Sequence, residues 1–129
     1  MTAATAEGHL PMQDQALDDD PVWDPAGALA SVGGNEALAR ALLRRFCAAL
    51  PADLARLRQA HAAGDLAATT AQAHHINGGA AYCGVPALRR RLAALETSAR
   101  AGDAAGAGRA LADVETAADR LIARVRTLP

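Results

Sequence analysis

The sequence predicts an all-α protein, an antiparallel four-helix bundle with a short extra helix at its N-terminal end. Apolar residues recur at helical spacing along several long segments, and no segment alternates apolar and polar residues over the length of a β-strand. Aromatic residues make up only 2% of the chain, while hydrophobic residues as a whole make up 51%. The core must therefore consist of leucine, valine, isoleucine and alanine, which favours closely packed helices over a β-sandwich.

The first 21 residues are predicted to form a disordered tail or linker, and residues 22–129 are predicted to form one folded domain. The tail has no helical period that could bury a face, and it carries the acidic run Asp18–Asp20. Order is predicted to begin near Trp23 with a short helix, which has Pro25 in its first turn and ends at the glycine pair 33–34.

Turn signals divide the rest of the domain into long helices. Two Gly-Asp pairs, at positions 64–65 and 102–103, each combine a C′ glycine with an N-cap aspartate. Asn35 can cap the first long helix, and Pro51 either kinks this helix or begins a new one. The next helix is predicted over about residues 66–83. The predicted core residues are Leu57, Ile76, Leu92, Leu95, Val114 and Leu121.

The charge and cysteine content exclude several classes of protein. The formal net charge is −1, which argues against nonspecific nucleic-acid binding because such binding needs a strong basic field. The two cysteines, Cys47 and Cys83, are too few for a disulfide framework, and their apolar helical surroundings favour buried free thiols in a reducing compartment. The sequence shows no signal peptide and no apolar run of transmembrane length, so no membrane insertion and a cytoplasmic location are expected.

The segment AQAHHINGGAAYCGV, residues 71–85, places two adjacent histidines on a predicted helix. On a helical wheel, His74 and His75 fall on opposite shoulders of the core-facing side, so both should reach solvent at least in part. Gly78 and Gly79 follow, although a glycine inside a helix costs about 1 kcal/mol relative to alanine. The glycines leave a bare patch beside the imidazoles, which would let another macromolecule approach closely.

Neither histidine has a chemical partner on its own helix. No aspartate, glutamate or cysteine lies one turn away, which excludes a local metal pair and a same-helix carboxylate that orients an imidazole for general-base work. A histidine on a bare, accessible face suits a nucleophile whose remaining chemistry a partner supplies, since a neutral imidazole nitrogen can receive a phosphoryl group. An ordinary surface role remains open, and the wheel does not choose between His74 and His75.

The segment AHHINGGAAYCGVPALRRRLAALE, residues 73–96, resembles the histidine-containing phosphotransfer (HPt) domain. It is most similar to HPt domains at the C-terminus of proteobacterial tripartite hybrid sensor kinases. That family's motif is a histidine, any residue, an aliphatic residue, usually a lysine, a glycine and a small residue. Read from His74, the motif places Ile76 in the aliphatic position, whereas reading from His75 would place Asn77 there. The resemblance therefore assigns the phosphoacceptor to His74.

This resemblance, which covers about residues 23–127, implies a phosphoryl carrier in a two-component phosphorelay rather than an enzyme. A receiver domain carrying phosphoaspartate would dock over the bare patch, His74 would accept the phosphoryl group through Nε2, and the aspartate of a second receiver would take it on. The residues implied near the phosphohistidine are His75, Asn77, Gly78 and Gly79. The receivers would supply Mg²⁺, so the chain is expected to need no cofactor or metal of its own. Because the histidine is exposed and the fold is a single compact bundle, the chain is expected to be a monomer.

Asn77 departs from the family pattern, because it occupies the position of the usual lysine. Its amide can donate a hydrogen bond but brings no charge. A compensating cation would have to come from a neighbouring helix, where Arg89, Arg90 and Arg91 are candidates. An ordinary solvated arginine face is the alternative for these three residues.

Other assignments remain open from the sequence. The chain could be a non-catalytic helical adaptor or interaction bundle, or a relay domain that Asn77 has inactivated. An enzyme is disfavoured, because the chain is too short for the ATP-binding domain of a kinase and because His9 and His61 lie away from His74, in the tail and on another helix. Tyr82 is expected to pack over one end of the core, with the rim of a docking surface as the alternative.

Overall fold

The computed structural model describes residues 20–128, which contain five α-helices and no strand, so the all-α prediction is confirmed. The helices are α1 (Pro25–Ser31), α2 (Glu36–Ala62), α3 (Leu66–Ala80), α4 (Pro86–Arg100) and α5 (Ala104–Arg126). Helices α2 to α5 form a closed ring in which α2 contacts α3 and α5, and α4 contacts α3 and α5. Short turns join consecutive helices and make them antiparallel neighbours, and α1 packs against α2.

The predicted tail lies outside the described residues except at its last two positions. The carbonyl oxygen of Pro21 accepts a hydrogen bond from the backbone N–H of Ala87, at 3.1 Å. Asp20 forms an ion pair with Arg90 on α4. The domain boundary at residue 22 stays a prediction, and the chain immediately before it is attached to the start of α4.

Polar side chains cap the helices where the turn signals predict them. The side chains of Asn35, Asp65 and Asp103 each accept a hydrogen bond from the backbone N–H three residues later, at 2.9 to 3.0 Å. Gly64 and Gly102, which precede the two aspartates, have φ angles of +71° and +78°. This left-handed conformation ends the preceding helix and is accessible to glycine without steric strain.

Pro51 lies inside α2 and does not begin a new helix, so one helix of 27 residues spans both halves of the predicted segment. The buried stripe of α2 consists of Leu43, Phe46, Leu50, Leu54 and Leu57. These residues recur every three or four positions and face the other three long helices.

The six predicted core residues are all buried in the structure, with at most 1% of each exposed. Tyr82 differs from the expectation that it packs over the core, because 57% of it is exposed. It lies in the turn after α3, where Ala80 and Cys83 take the inward-facing positions and leave Tyr82 on the outside. Tyr82 therefore belongs to the surface rather than to the core.

Both cysteines in the structure are free thiols, with Cys83 buried and Cys47 partly buried. Burial, and to a smaller extent the neighbouring Cys83, raises the pKa of Cys47 to about 11. Burial also raises the pKa of Cys83. Both thiols are therefore protonated near neutral pH, as expected for structural rather than reactive cysteines.

Gly84 fixes α1 against the turn between α3 and α4. Its φ angle is +66°, and a Cβ atom placed on it would lie 2.3 Å from the carbonyl oxygen of Asp24. The carbonyl oxygen of Gly84 accepts a hydrogen bond from the backbone N–H of Asp24, at 2.7 Å. The close contact of the two backbones leaves no room for a side chain.

We expect Gly84→Ala to lower the free energy of unfolding by about 2–4 kcal/mol, because it combines left-handed strain with a backbone clash. Gly102→Ala is the matched control. Gly102 also has a positive φ angle, but a Cβ atom there would meet nothing within 4 Å. The control should lose only about 1–2 kcal/mol. Urea unfolding of the two variants measures the difference, and equal losses would show that the contact with Asp24 is unimportant.

Candidate functional site

The two histidines of α3 lie on the surface, as predicted, and His74 is held by a residue from the neighbouring helix. The His74 side chain is 76% exposed, and its Nδ1 lies 3.2 Å from Oε2 and 3.4 Å from Oε1 of Glu96 on α4. The Glu96 side chain is only 13% exposed and also accepts a hydrogen bond from Arg100, one turn later on α4. The Glu96 carboxylate is thus a mostly buried acceptor that contacts the ring of His74.

This contact determines which nitrogen of His74 is available for chemistry. An ionised carboxylate can only accept a hydrogen bond, so the Nδ1 atom that faces Glu96 must carry the proton. In the neutral ring the other nitrogen, Nε2, then has a free lone pair. Because most of the side chain is exposed, His74 offers an oriented nucleophilic nitrogen on the surface of the bundle.

An apolar groove of about 610 Å³ lies beside His74, between α2 and α3. His74 and His75 stand at this groove, and Arg45 of α2 contributes a positive charge to its wall. Asp53 of α2 adds a negative charge, and the remaining lining residues are small or apolar apart from the Tyr82 hydroxyl: Leu42, Phe46, Ala49, Ile76, Gly78, Gly79 and Tyr82. The exposed His74 therefore lies at the edge of an apolar surface that a partner could cover.

Packing within the chain does not require glycine at position 78 or 79. Both residues lie inside α3 and neither has a positive φ angle. A Cβ atom at Gly78 would meet nothing within 4 Å, and one at Gly79 would make an ordinary contact with Phe46 at 3.5 Å. The two glycines therefore reduce helix stability without any gain inside the bundle, which points to a close approach from outside.

Asn77 lies on the α4 side of α3, next to one of the three candidate arginines. The Nε atom of Arg89 donates a hydrogen bond to Oδ1 of Asn77, at 3.0 Å. Arg90 pairs with Asp20 instead. Arg91 pairs with Asp113 on α5, at 3.5 Å. The structure thus distinguishes Arg89 from its neighbours by a contact to the helix that carries His74.

The rest of the described chain adds no second site of this kind. Among residues 20–128, no group of three or more histidine, cysteine, aspartate or glutamate side chains is arranged to hold a metal ion. His61 lies elsewhere, with its Nε2 atom 3.2 Å from the carbonyl oxygen of Ala104. Within the same part of the chain, every helix is too short or too polar to cross a lipid bilayer.

Glu96 is a partner of His74 that the residues of the histidine helix do not reveal, because it reaches His74 from α4. The spacing of His74 and Glu96 from the turn between α3 and α4 nevertheless indicates that the two residues could meet. His74 lies 10 residues before Gly84 and Glu96 lies 12 residues after it. In an antiparallel helix pair joined by a turn at Gly84, two residues at nearly equal distances from the turn are brought to the same level.

Comparisons with known proteins identify the family of this chain and a curated relative. The family described as Hpt domain matches residues 41–126, which include α3, α4, α5 and most of α2. The sensor histidine kinase GacS of Pseudomonas protegens is 34% identical over 124 residues. These residues are 96% of this chain but only 13% of that kinase, so the chain corresponds to a small part of it. No solved structure gives a significant match.

Proposed function

Because the chain belongs to the HPt domain family, whose members carry phosphoryl groups in phosphorelays, we propose that His74 is its phosphoryl acceptor. In this proposal a receiver-domain aspartate donates the phosphoryl group, and the aspartate of another receiver accepts it from His74. The observation that carries the proposal is the exposed His74 ring, whose Nδ1 is bound to Glu96 and whose Nε2 is free. The chain acts as a carrier and binds no ATP.

The transfer uses Nε2 of His74 as the nucleophile. Its lone pair attacks phosphorus in line, a P–N bond forms, and the P–O bond to the receiver aspartate breaks to leave a carboxylate. The ring becomes a phosphorylated imidazolium with its proton still on Nδ1. The carboxylate of Glu96 stabilises this positive charge and keeps the ring orientation fixed. Transfer to the second receiver runs through the same steps in reverse.

The groove beside His74 is the proposed docking surface. Gly78 leaves this surface without a side chain, and Phe46 and Ile76 form its apolar floor. Tyr82 is exposed at the rim. A receiver that lays an apolar helix face in this groove would bring its phosphoaspartate over His74. A transient complex with a modest interface fits a carrier that must release two partners in turn.

The receiver supplies the metal chemistry in this proposal. Phosphoryl transfer from a receiver depends on Mg²⁺ and on an acidic pocket that belong to the receiver, while this chain supplies the nucleophile and the docking surface. The chain accordingly needs no cofactor of its own. A monomeric state, a cytoplasmic location and the absence of nucleic-acid binding stay predictions from the sequence.

A labelled phosphorelay tests the proposed function. The purified chain is mixed with a receiver domain that carries radiolabelled phosphoaspartate, with Mg²⁺ present, and a second, unlabelled receiver is added later. We expect label to move to the chain, to be acid-labile and alkali-stable as in phosphohistidine, and to move on to the second receiver. If receivers from a broad panel bind the chain but keep their label, the adaptor or inactive-relay alternative is correct.

A further inference from the structure

The seam between α3 and α4 carries two polar contacts in a row. The first joins His74 to Glu96, and the second joins Asn77 to Arg89. Residues three apart on a helix are surface neighbours, with Cβ atoms about 5–6 Å apart, so Asn77 lies beside His74 on this seam. The guanidinium group that contacts Asn77 is thereby held within about one helical turn of His74 along this seam.

Phosphorylation of His74 adds negative charge to a seam that already carries the Glu96 carboxylate. A phosphoryl group brings a charge of about −1.5 to −2 near neutral pH. On Nε2 of His74 it would add this charge to the same ring whose Nδ1 contacts the carboxylate of Glu96. Arg100 pairs with Glu96, but it does so from the next turn of α4. On α3 itself, Asn77 offers only a neutral amide. A cation on the Asn77 side of His74 would balance the new charge.

We propose that Arg89 is this cation and that Asn77 is the residue that positions it. The inference rests on the proposed function of His74. Only Nε of Arg89 is engaged by Asn77, so the two outer nitrogens of the guanidinium remain available to hydrogen-bond phosphoryl oxygens. A guanidinium fork matches the geometry of a phosphate and keeps its charge at every physiological pH.

The neighbouring arginines do not have this arrangement. Arg90 is paired with Asp20, at the N-terminal edge of the described chain. The Arg91 side chain is only 11% exposed and is paired with Asp113 on α5. Arg89 is exposed and contacts α3 through Asn77, so it can turn toward a phosphoryl group without breaking an ion pair.

Phosphoramidate, used as a small chemical donor, tests the inference without any receiver. Nε2 of His74 attacks its phosphorus, the P–N bond of the donor breaks, and ammonia leaves. The pKa of the phosphoryl group on His74 is then measured by phosphorus NMR as a function of pH. In Arg89→Ala this pKa should rise by about half a unit to one unit, because the opposite charge that favours the dianion has been removed.

Three further variants make the test specific. Arg90→Ala should leave the phosphoryl pKa unchanged, because Arg90 is paired away from α3. Asn77→Ala should raise the phosphoryl pKa by less than Arg89→Ala does, because the guanidinium is retained and only its positioning is lost. The double variant Arg89→Ala with Asn77→Lys should return the pKa toward the wild-type value, because a lysine on α3 restores the cation.

The exchange of phosphoryl groups with a receiver gives a second readout. At equilibrium, the ratio of phosphorylated His74 to phosphorylated receiver should fall about fivefold in Arg89→Ala. This ratio should recover in the double variant. The differences should shrink as salt is added. Circular dichroism of each variant checks that the bundle remains folded, and Arg89→Gln replaces Arg89→Ala if the alanine variant does not fold.

The outcomes separate this inference from the proposed function. A phosphoryl pKa in Arg89→Ala equal to that of the wild type or of Arg90→Ala would overturn the role of Arg89. Normal loading by phosphoramidate with no exchange to any receiver would overturn the relay, while the NMR comparison would still decide the role of Arg89. A wild-type chain that takes no phosphoryl group even from phosphoramidate would overturn both.

Discussion

Replacing His74 by glutamine is expected to abolish acceptance of the phosphoryl group, with the rate of labelling by a phosphorylated receiver falling by at least about a thousandfold. Glutamine has a similar reach and can still donate a hydrogen bond to Glu96, but its amide nitrogen has no nucleophilic lone pair. Because the His74 side chain is 76% exposed, its replacement should leave the stability of the bundle nearly unchanged.

His75 provides the matched control for this variant. It lies next to His74 at the same groove and is exposed, but no hydrogen bond joins it to another residue among those described. We therefore expect His75→Gln to be labelled within about threefold of the wild-type rate, since only the docking surface is altered. The initial rate of label uptake is measured for both variants. Loss of label in His75→Gln with retention in His74→Gln would reverse the assignment.

Gly78→Ala is expected to change stability and phosphotransfer in opposite directions. The added methyl group meets nothing within 4 Å in the free chain, so the free energy of unfolding should rise by up to about 1 kcal/mol through better helix propensity. The same methyl group protrudes into the proposed docking surface. There it should slow transfer from a receiver about tenfold, corresponding to about 1–2 kcal/mol of overpacking at the interface.

A larger side chain at the same position should strengthen the second effect. Gly78→Gln is expected to slow transfer about a hundredfold, while loading by phosphoramidate stays within about twofold of wild type because the small donor needs no docking surface. Ala112→Gln on α5, across the ring from α3, is the control for an added side chain on an exposed helix. Wild-type transfer rates in both Gly78 variants would show that the bare patch is not where a receiver docks.

Local sequence signals were sufficient for the ends of the helices and for the core. The caps at Asp65 and Asp103 depend on residues within one turn, and the glycines before them report a backbone conformation that a sequence pattern can specify. The buried positions of Ile76, Leu92 and Val114 follow from helical periodicity, because each long helix has one face that must meet the others.

The polar surroundings of His74 depended on how the helices pack. Glu96 and Arg89 reach α3 from another helix, and the rotation of α4 that brings them there is determined by core packing rather than by local spacing. The sequence could name three arginines but could not choose Arg89 among them. Tyr82 was misplaced for a related reason, since its direction depends on which residues of the turn after α3 face inward.

The position of the phosphoryl group on the chain decides whether His74 is the carrier. After transfer from a phosphorylated receiver, the wild-type chain can be examined by phosphorus–proton correlation NMR and by fragmentation in a mass spectrometer under alkaline conditions. We expect a single phosphohistidine at His74, linked through Nε2 because Nδ1 is bound to Glu96. A phosphoryl group on His75, on Nδ1 of His74 or on any other residue would contradict the proposed mechanism.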